Sequence, residues 1–343
     1  MYQRQRQTSG AHRPISSRSE KDNLLPCIMA RGTFELSNTQ VRLTAQRQNL
    51  PAYRQVLIVP FAEYYAVGLA YDKPESIVHV CDDDLYNWGL SSNEAFQNAV
   101  KNLEARSSED FIAKAPGLFV SPWQDHYDSA RLMLIDKISS LPIKGKPVAM
   151  APVPSVLLVA GSEDHPALEL MMQLHAQYMG KSQAILAVPL ILDEGYWSPY
   201  MVTPSDPLYD QLNRLRLQSM SLMYKTQKEM LDEFDVSDDQ LYLANYQTMK
   251  AADSDEVFSL AFIGEGIPTS LPEADLIEFL AEDEETGERK VAARGTFQHV
   301  QAVLGVSMLQ QPGLYPRRHT ISVFPSSDQL SAIGIKPLPG ENE

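Results

Sequence analysis

Short apolar runs separated by polar turns recur along this chain, and each group of runs is followed by an amphipathic segment. In the middle of the sequence, residues 156–160 are apolar throughout, prolines stand at positions 152 and 154, and Pro166 opens the next segment. An apolar run of this length is typical of a strand that is buried on both faces. Proline is tolerated in the first turn of a helix, where its missing amide would be unpaired anyway. The pattern therefore predicts a buried central strand at residues 156–160, followed by a helix.

The amphipathic segment after residue 165 places several large side chains on one face. These are Leu168, Met171, Met172 and His175. Their spacing of three and four residues is typical of a helix that packs on a core. We therefore expect His175 to be a partly buried structural histidine, since few polar residues surround it.

The same order of strands and helix is predicted on either side of the centre. The first group has apolar runs at residues 56–59, 64–71 and 77–80, then a helical pattern at residues 91–103. Ser91 and Glu94 have the spacing of a capping box, which favours a helix start at that point. The third group has a long helix from Pro207 to about residue 234, strands at residues 241–249, 257–263 and 276–280, and a helix at residues 296–304.

These patterns predict an α+β fold, in which helices pack on mixed sheets and two or three strand-then-helix units surround a shared core. The predicted organisation is a disordered basic arm at residues 1–25, a first α+β unit at residues 26–115, a central α+β unit at residues 116–204, and a long helix plus C-terminal α+β unit at residues 205–343. The arm is predicted to be disordered because it holds arginine, glutamine and serine without periodic apolar positions.

Charge and composition narrow the possible partners. The chain of 343 residues has a formal net charge of −15, which repels phosphate backbones, so nucleic acid is expected as a partner only through the basic arm. No apolar run approaches the roughly 18 residues that cross a bilayer, so no membrane partner is expected. Cys27 and Cys81 are the only cysteines, which is too few for a disulfide framework. We therefore expect a cytoplasmic protein.

Several motifs resemble those of one protein family. They include residues 127–132 (YDSARL), residues 145–148 (GKPV), residues 157–164 (LLVAGSED), residues 315–317 (YPR) and residues 324–326 (FPS). On these motifs the chain resembles the bacterial YtpQ-like family of unknown function, over most of its length after the arm. The resemblance implies the family's general layout and brings no catalytic residues with it.

Candidate chemistry is densest at residues 125–131. Asp125, His126, Asp128 and Ser129 include the residue types of a nucleophile, a base and an orienting acid, but no nucleophile-elbow motif surrounds Ser129. The simpler interpretation is a helix start, with Asp128 or Ser129 as the cap and exposed amides that could bind an anion. The predicted ligand-binding residues are Asp125, His126, Asp128, Ser129, Arg131 and Trp197.

Two functions remain open from the sequence. The first is a non-enzymatic protein that binds a protein partner or a ligand in the cleft between its units; the second is a hydrolase, carboxylate-dependent or metal-assisted, with Asp84, Asp125, Asp128 and Asp164 as its acids. We expect the first, without catalytic residues, cofactor or metal, because residues 161–164 (GSED) lack the glycines and lysine of a phosphate loop and residues 264–266 (GEG) lack a following helix. The oligomeric state is left open.

Overall fold

A computed structural model describes residues 23–50, 53–178, 185, 188–234, 241–252, 254–282 and 286–341. Most of the predicted disordered arm therefore lies outside the described residues. The predicted boundary at residue 25 is too late, however, because Leu24 and Leu25 are fully buried and Leu25 begins a strand. The packed chain thus includes the last two residues that we had assigned to the arm.

The fold is α+β, as predicted, with helices packed on mixed and antiparallel sheets. The helices are α1 (Arg31–Arg47), α2 (Asp82–Trp88), α3 (Ser92–Ala105), α4 (Ile135–Ser139), α5 (His165–Ala176), α6 (Tyr209–Phe234), α7 (Phe297–Leu304) and α8 (Ser327–Ile333), with 3₁₀ helices at Ser129–Met133 and Gly305–Ser307. The strands are β1 (Leu25–Ala30), β2 (Ile58–Phe61), β3 (Tyr65–Lys73), β4 (Ser76–His79), β5 (Ile112–Ala115), β6 (Leu118–Val120), β7 (Pro147–Val153), β8 (Val156–Gly161), β9 (Leu190–Asp193), β10 (Tyr196–Pro199), β11 (Tyr242–Leu243), β12 (Gln247–Lys250), β13 (Val257–Gly264), β14 (Thr269–Pro272), β15 (Leu276–Glu282), β16 (Arg289–Thr296), β17 (Leu309–Gln310) and β18 (Arg318–Ile321).

The strands form four sheets within the described ranges. In the first sheet β3 pairs with β1, β2 and β4, and the second sheet has the order β10-β9-β7-β8-β6-β5. The other two have the orders β11-β14-β18-β17 and β12-β13-β15-β16, each with one parallel pair. The first two sheets contain antiparallel pairs throughout.

Strand β8 lies inside the six-stranded sheet and is buried on both faces, which confirms the central prediction. Because successive side chains of a strand point to opposite faces, Leu157 and Val159 join the largest hydrophobic cluster, whereas Leu158 and Ala160 join the cluster that α5 covers. The largest cluster also contains Phe34 of α1 and Tyr65 of β3. The first and central parts of the chain therefore share one core.

Helix α6 contributes side chains to four of the hydrophobic clusters. Its 26 residues extend over about 39 Å. Along its length Leu212 packs in the cluster beneath α5, Met223 in the largest cluster, Tyr224 among the C-terminal sheets and Leu231 against α1. The predicted long helix is thus confirmed, and it packs against every part of the described fold that the sequence had divided into units.

Of the other local predictions, one is confirmed and one is wrong, and one helix was not predicted. The capping box of Ser91 and Glu94 is present at the start of α3. The predicted strand at residues 241–249 is wrong as one element, because β11 and β12 lie in different sheets and the buried Ala244 and Tyr246 occupy the segment between them. Helix α1 was not predicted at all. No side chain caps its first turn, and its buried face is marked by few large apolar residues, among them Phe34 and Leu36.

Candidate functional site

The predicted ligand-binding cluster lies where the chain between β6 and α4 packs against the first part of the fold. Arg131 is fully buried, and its Nη1 and Nη2 donate to Oδ1 and Oδ2 of Asp125, each at 2.8 Å. Its Nε donates to Oγ of Ser107 at 2.8 Å, and its guanidinium carbon lies 4.0 Å from the ring centroid of Trp123. Burial alone would raise the pKa of Asp125, but hydrogen bonds from Arg131 and from the Tyr127 amide outweigh it and lower that pKa. The guanidinium of Arg131 therefore donates hydrogen bonds to Asp125 and Ser107 of the protein itself.

Three of the remaining four members of the cluster also have hydrogen bonds within the protein, namely Asp128, Ser129 and Trp197. Asp128 is buried and accepts hydrogen bonds from the amides of Gln124 and Asp125, each at 3.1 Å, while burial raises its pKa. Oγ of Ser129 donates to the carbonyl of Ile28 at 3.3 Å. His126 is exposed, with a φ of 67°. Trp197 is buried, and its Nε1 donates to the carbonyl of Leu132 at 2.8 Å, so all six predicted residues belong to one region.

A helix does start at this cluster, directly after Asp128, but the predicted side-chain cap is wrong. Residues Ser129–Met133 form a 3₁₀ helix of five residues, and no side chain caps its first turn. The carboxylate of Asp128 instead accepts hydrogen bonds from the amides of Gln124 and Asp125, four and three residues earlier, so it stabilises the turn that leads into the helix. A ligand-binding role for the six residues stays a prediction.

The carboxylates proposed for a hydrolase have separate partners. Asp84 lies 2.5 Å from Nη2 of Arg54 and accepts the amide of Cys81. Asp164 accepts the amide of Ala167 at the start of α5. In the described ranges no group of three or more histidine, cysteine or acidic side chains is arranged to hold a metal ion. Nothing in this geometry favours hydrolysis over binding.

A cavity of about 450 Å³ lies between α1, α6 and the C-terminal part of the chain. Its apolar wall includes Leu43 of α1, Leu231 of α6, Leu243 of β11 and Leu314, which precedes β18. Leu231, Leu243 and Leu314 belong to the small hydrophobic cluster in which α1 meets α6, so the cavity continues that apolar contact. We call it the cleft cavity.

A second cavity, of about 370 Å³, lies beside the cleft cavity. It is lined by residues of α6, by the segment that leads into β12, and by Arg318 of β18. Lys228 and Asp232 line both cavities, and the two side chains form an ion pair of 2.9 Å. We call this second space the arginine cavity.

The guanidinium of Arg318 is the unusual group of the arginine cavity. The residue is fully buried; Nε donates to Oε1 of Gln227 at 2.7 Å, and Nη1 donates to the carbonyls of Ala244 and Ser270 at 3.1 and 3.0 Å. Nη2 has no hydrogen-bond partner in the described part of the chain. Burial lowers the pKa of Arg318 to about 10. A guanidinium has five N–H donors, so the two on the buried Nη2 are unpaired among the described residues.

Aromatic side chains complete the arginine cavity. The rings of Tyr224 and Tyr246 are stacked, with centroids 4.9 Å apart and an interplanar angle of 20°. The hydroxyl of Tyr224 donates to the carbonyl of Arg317 at 2.7 Å and accepts the amide of Glu273 at 3.0 Å. The hydroxyl of Tyr224 therefore both donates and accepts a hydrogen bond, and these two bonds fix the position of its ring.

Sequence reasoning missed both cavities. Arg318 directly follows residues 315–317, one of the motifs on which the family resemblance rests, but a single arginine beside a proline gives no sign of burial. The apolar wall is assembled from α1, α6, β11 and the segment before β18, which are far apart in sequence. No local pattern could have joined them.

Comparison with known proteins gave no match to a family model, to a curated protein or to a solved structure. The resemblance to the YtpQ-like family therefore stays a prediction from the motifs quoted above. None of the helices within the described ranges combines the length and the apolar character needed to cross a membrane.

Proposed function

We propose that this protein is a non-enzymatic binding protein that holds a small organic ligand in the cleft cavity. The single observation that carries the proposal is a concave space of about 450 Å³ with an apolar wall and a few polar groups, between segments from both ends of the described chain. Ligand sites in proteins have volumes of roughly 300–1,000 Å³ and this mixture of lining groups.

The lining fits a ligand with an apolar body and a polar edge. Leucines of α1, α6, β11 and the segment before β18 form the apolar side, whereas Arg42, Ser270 and Gln311 offer polar groups. Oγ of Ser270 donates to Oε1 of Gln311 at 2.9 Å, which holds the amide group of Gln311 in one orientation. A space of about 450 Å³ takes a small ligand and not a folded protein, so a small ligand is the occupant that we propose for it.

Two further parts of the proposal concern the compartment and the family of the protein. We place the protein in the cytoplasm, because Cys27 and Cys81 are both free thiols and reduced cysteines are typical of that compartment. We keep the YtpQ-like family as its proposed family on the quoted motifs alone. A hydrolase is not proposed, because Asp84 and Asp125 each pair with a different arginine and no described contact joins them.

The test uses Nile red, a neutral dye whose emission rises in apolar cavities, with the full-length protein. We expect saturable binding to the wild type and a loss of affinity of about tenfold or more in Leu43→Trp, since the larger ring fills the cavity. Val41→Trp is the matched control: Val41 lies on the same helix, is 37% exposed and does not line the cavity. Equal dye binding by Leu43→Trp and the wild type, with both folded by circular dichroism, would refute the proposed site.

A further inference from the structure

Arg318 differs from the other buried arginines of the described chain. Three arginines are buried there, namely Arg131, Arg294 and Arg318. Arg131 pairs with Asp125 at 2.8 Å and Arg294 with Glu278 at 2.6 Å, whereas the three acceptors of Arg318 are all neutral amide oxygens. Buried charges in proteins are normally compensated by an opposite charge, because desolvation of a lone ion costs several kcal/mol. Arg318 is therefore a buried positive charge that no acid of the described chain pairs with directly.

The acids around the arginine cavity make no hydrogen bond to Arg318, and the charge of Asp232 acts on it only through space. Lys225, Lys228 and Arg318 line it together with Glu229 and Asp232, which leaves one net positive charge. Both acids already face lysines: Asp232 lies 2.9 Å from Lys228, and Glu229 lies 4.0 Å from Lys225. This local excess of positive charge stands within a chain whose formal net charge is −15. An incoming anion would balance it.

The number of free donors indicates the kind of anion. Only Nη2 of Arg318 is free of protein acceptors among the described residues, and its two N–H groups can donate to one or both oxygens of an anionic group. A carboxylate carries one negative charge, which matches the one net positive charge of the lining. A phosphate monoester carries about −1.5 to −2 at neutral pH and would place excess negative charge beside Glu229 and Asp232. The charge of the lining favours a carboxylate.

We propose that the arginine cavity binds the carboxylate of an organic acid, with Nη2 of Arg318 donating to one of its oxygens, while the apolar part of the same ligand lies in the cleft cavity. This inference rests on the proposed function, because it assigns the chemical class of the ligand in the adjacent cleft. The stacked Tyr224 and Tyr246 form an apolar wall beside the carboxylate, and the burial of Nη2 strengthens a charge-assisted hydrogen bond. The Lys228–Asp232 pair, which lines both cavities, marks where the two parts of the ligand would join.

The probes are para-fluorobenzoate and its neutral counterpart para-fluorobenzamide, whose binding to the full-length protein is followed by fluorine NMR at constant ionic strength. We expect the benzoate to bind about tenfold tighter than the benzamide, because only the benzoate carries the charge that Arg318 lacks. Inorganic phosphate is added as a competitor. Displacement of the benzoate by phosphate at lower concentration than by unlabelled benzoate would overturn the choice of a carboxylate.

The variants separate the cavity from the fold. Arg318→Met removes the donors and should abolish the preference for benzoate, but it also leaves two carbonyls and Gln227 without their donor. Ser221→Trp fills the arginine cavity from α6 without touching these bonds, and should weaken benzoate binding by about tenfold or more. Leu222→Trp is its matched control, since Leu222 is 60% exposed and does not line the cavity.

Each pattern of results has one meaning. Tighter binding of benzoate than benzamide that is lost in Ser221→Trp and kept in Leu222→Trp supports the carboxylate site. Equal binding of the two probes, or unchanged binding in Ser221→Trp, overturns it. If Nile red still binds in a manner that Leu43→Trp abolishes, only the carboxylate inference falls; if neither dye nor benzoate binds, the proposed function falls with it.

Discussion

His175 of α5 offers the sharpest test of how burial sets stability in this protein. The side chain is fully buried in the helix face that covers the six-stranded sheet. Neither Nδ1 nor Nε2 has a hydrogen-bond partner in the described residues. Burial lowers the pKa of the imidazole from 6.5 to about 4. We predict that His175→Leu, which changes the side-chain volume little, stabilises the protein and alters its pH dependence.

The magnitude follows from two separate effects. At pH 8 the imidazole is neutral in both the folded and the unfolded chain, and replacing its unpaired polar atoms should raise the free energy of unfolding by about 1–3 kcal/mol. Below pH 6.5 the unfolded chain binds a proton that the folded protein refuses until about pH 4. The wild type therefore keeps its full stability above pH 6.5 and loses about 2 kcal/mol by pH 5 and about 3 kcal/mol below pH 4 through this group. His175→Leu lacks that loss.

Urea denaturation at pH 8 and pH 5 measures both effects. The difference in unfolding free energy between variant and wild type should grow by about 2 kcal/mol from pH 8 to pH 5, since the titration of all other groups cancels in the comparison. Gln173→Leu, at an exposed position of the same helix, should follow the wild type at both pH values. If the difference in unfolding free energy between His175→Leu and the wild type stayed constant with pH, a lowered pKa of the buried imidazole would be refuted as the cause, whatever the size of that difference at pH 8.

Two further pairs of substitutions test the packing of the central part, by urea denaturation at pH 7. Asp125→Asn should lower the free energy of unfolding by about 3 kcal/mol, because it leaves the fully buried guanidinium of Arg131 without its counter-charge. Arg131→Met should cost about 1 kcal/mol through the lost ion pair, because the carboxylate that it leaves is 33% exposed and can be hydrated. Equal costs would contradict the unequal burial of the two charges. Gly161→Ala should cost about 3 kcal/mol because its Cβ would lie 2.1 Å from the backbone oxygen of Lys144. Gly195→Ala is the control, because Gly195 has a φ of 83° but open space around it, and it should cost about 1 kcal/mol. If Gly161→Ala proved as stable as Gly195→Ala, the close approach of Gly161 to the backbone of Lys144 would be contradicted.

Local patterns in the sequence were enough to predict the secondary structure around the centre of the chain. The apolar run at residues 156–160 predicted β8, the spacing of Ser91 and Glu94 predicted the start of α3, and the period of apolar residues after Pro207 predicted α6. Each signal lies within one element, and its cause is local: alternation on a strand, hydrogen bonds at a helix end, and a stripe along a helix. The α+β class follows from the order of such elements.

The candidate site depended on contacts that no local pattern contains. The residues at 125–131 carry reactive chemical groups, but the tertiary structure pairs Asp125 with Arg131 and gives Asp128 two backbone amides, so their polar atoms have protein partners. Arg318 looks like an ordinary surface arginine in the sequence, and only the fold buries it beside neutral acceptors.

What the sequence by itself determined is therefore the set of elements and the fold class, because hydrophobic periodicity and capping act over a few residues. What only the tertiary structure decided is which charges are compensated and which are not. Helix α6 brings Lys228 beside a strand about ninety residues further along the chain, and α1 adds the opposite wall of the cleft cavity. Desolvation and charge pairing depend on these distances in space, and for that reason the unpaired nitrogen of Arg318 became visible only in the folded molecule.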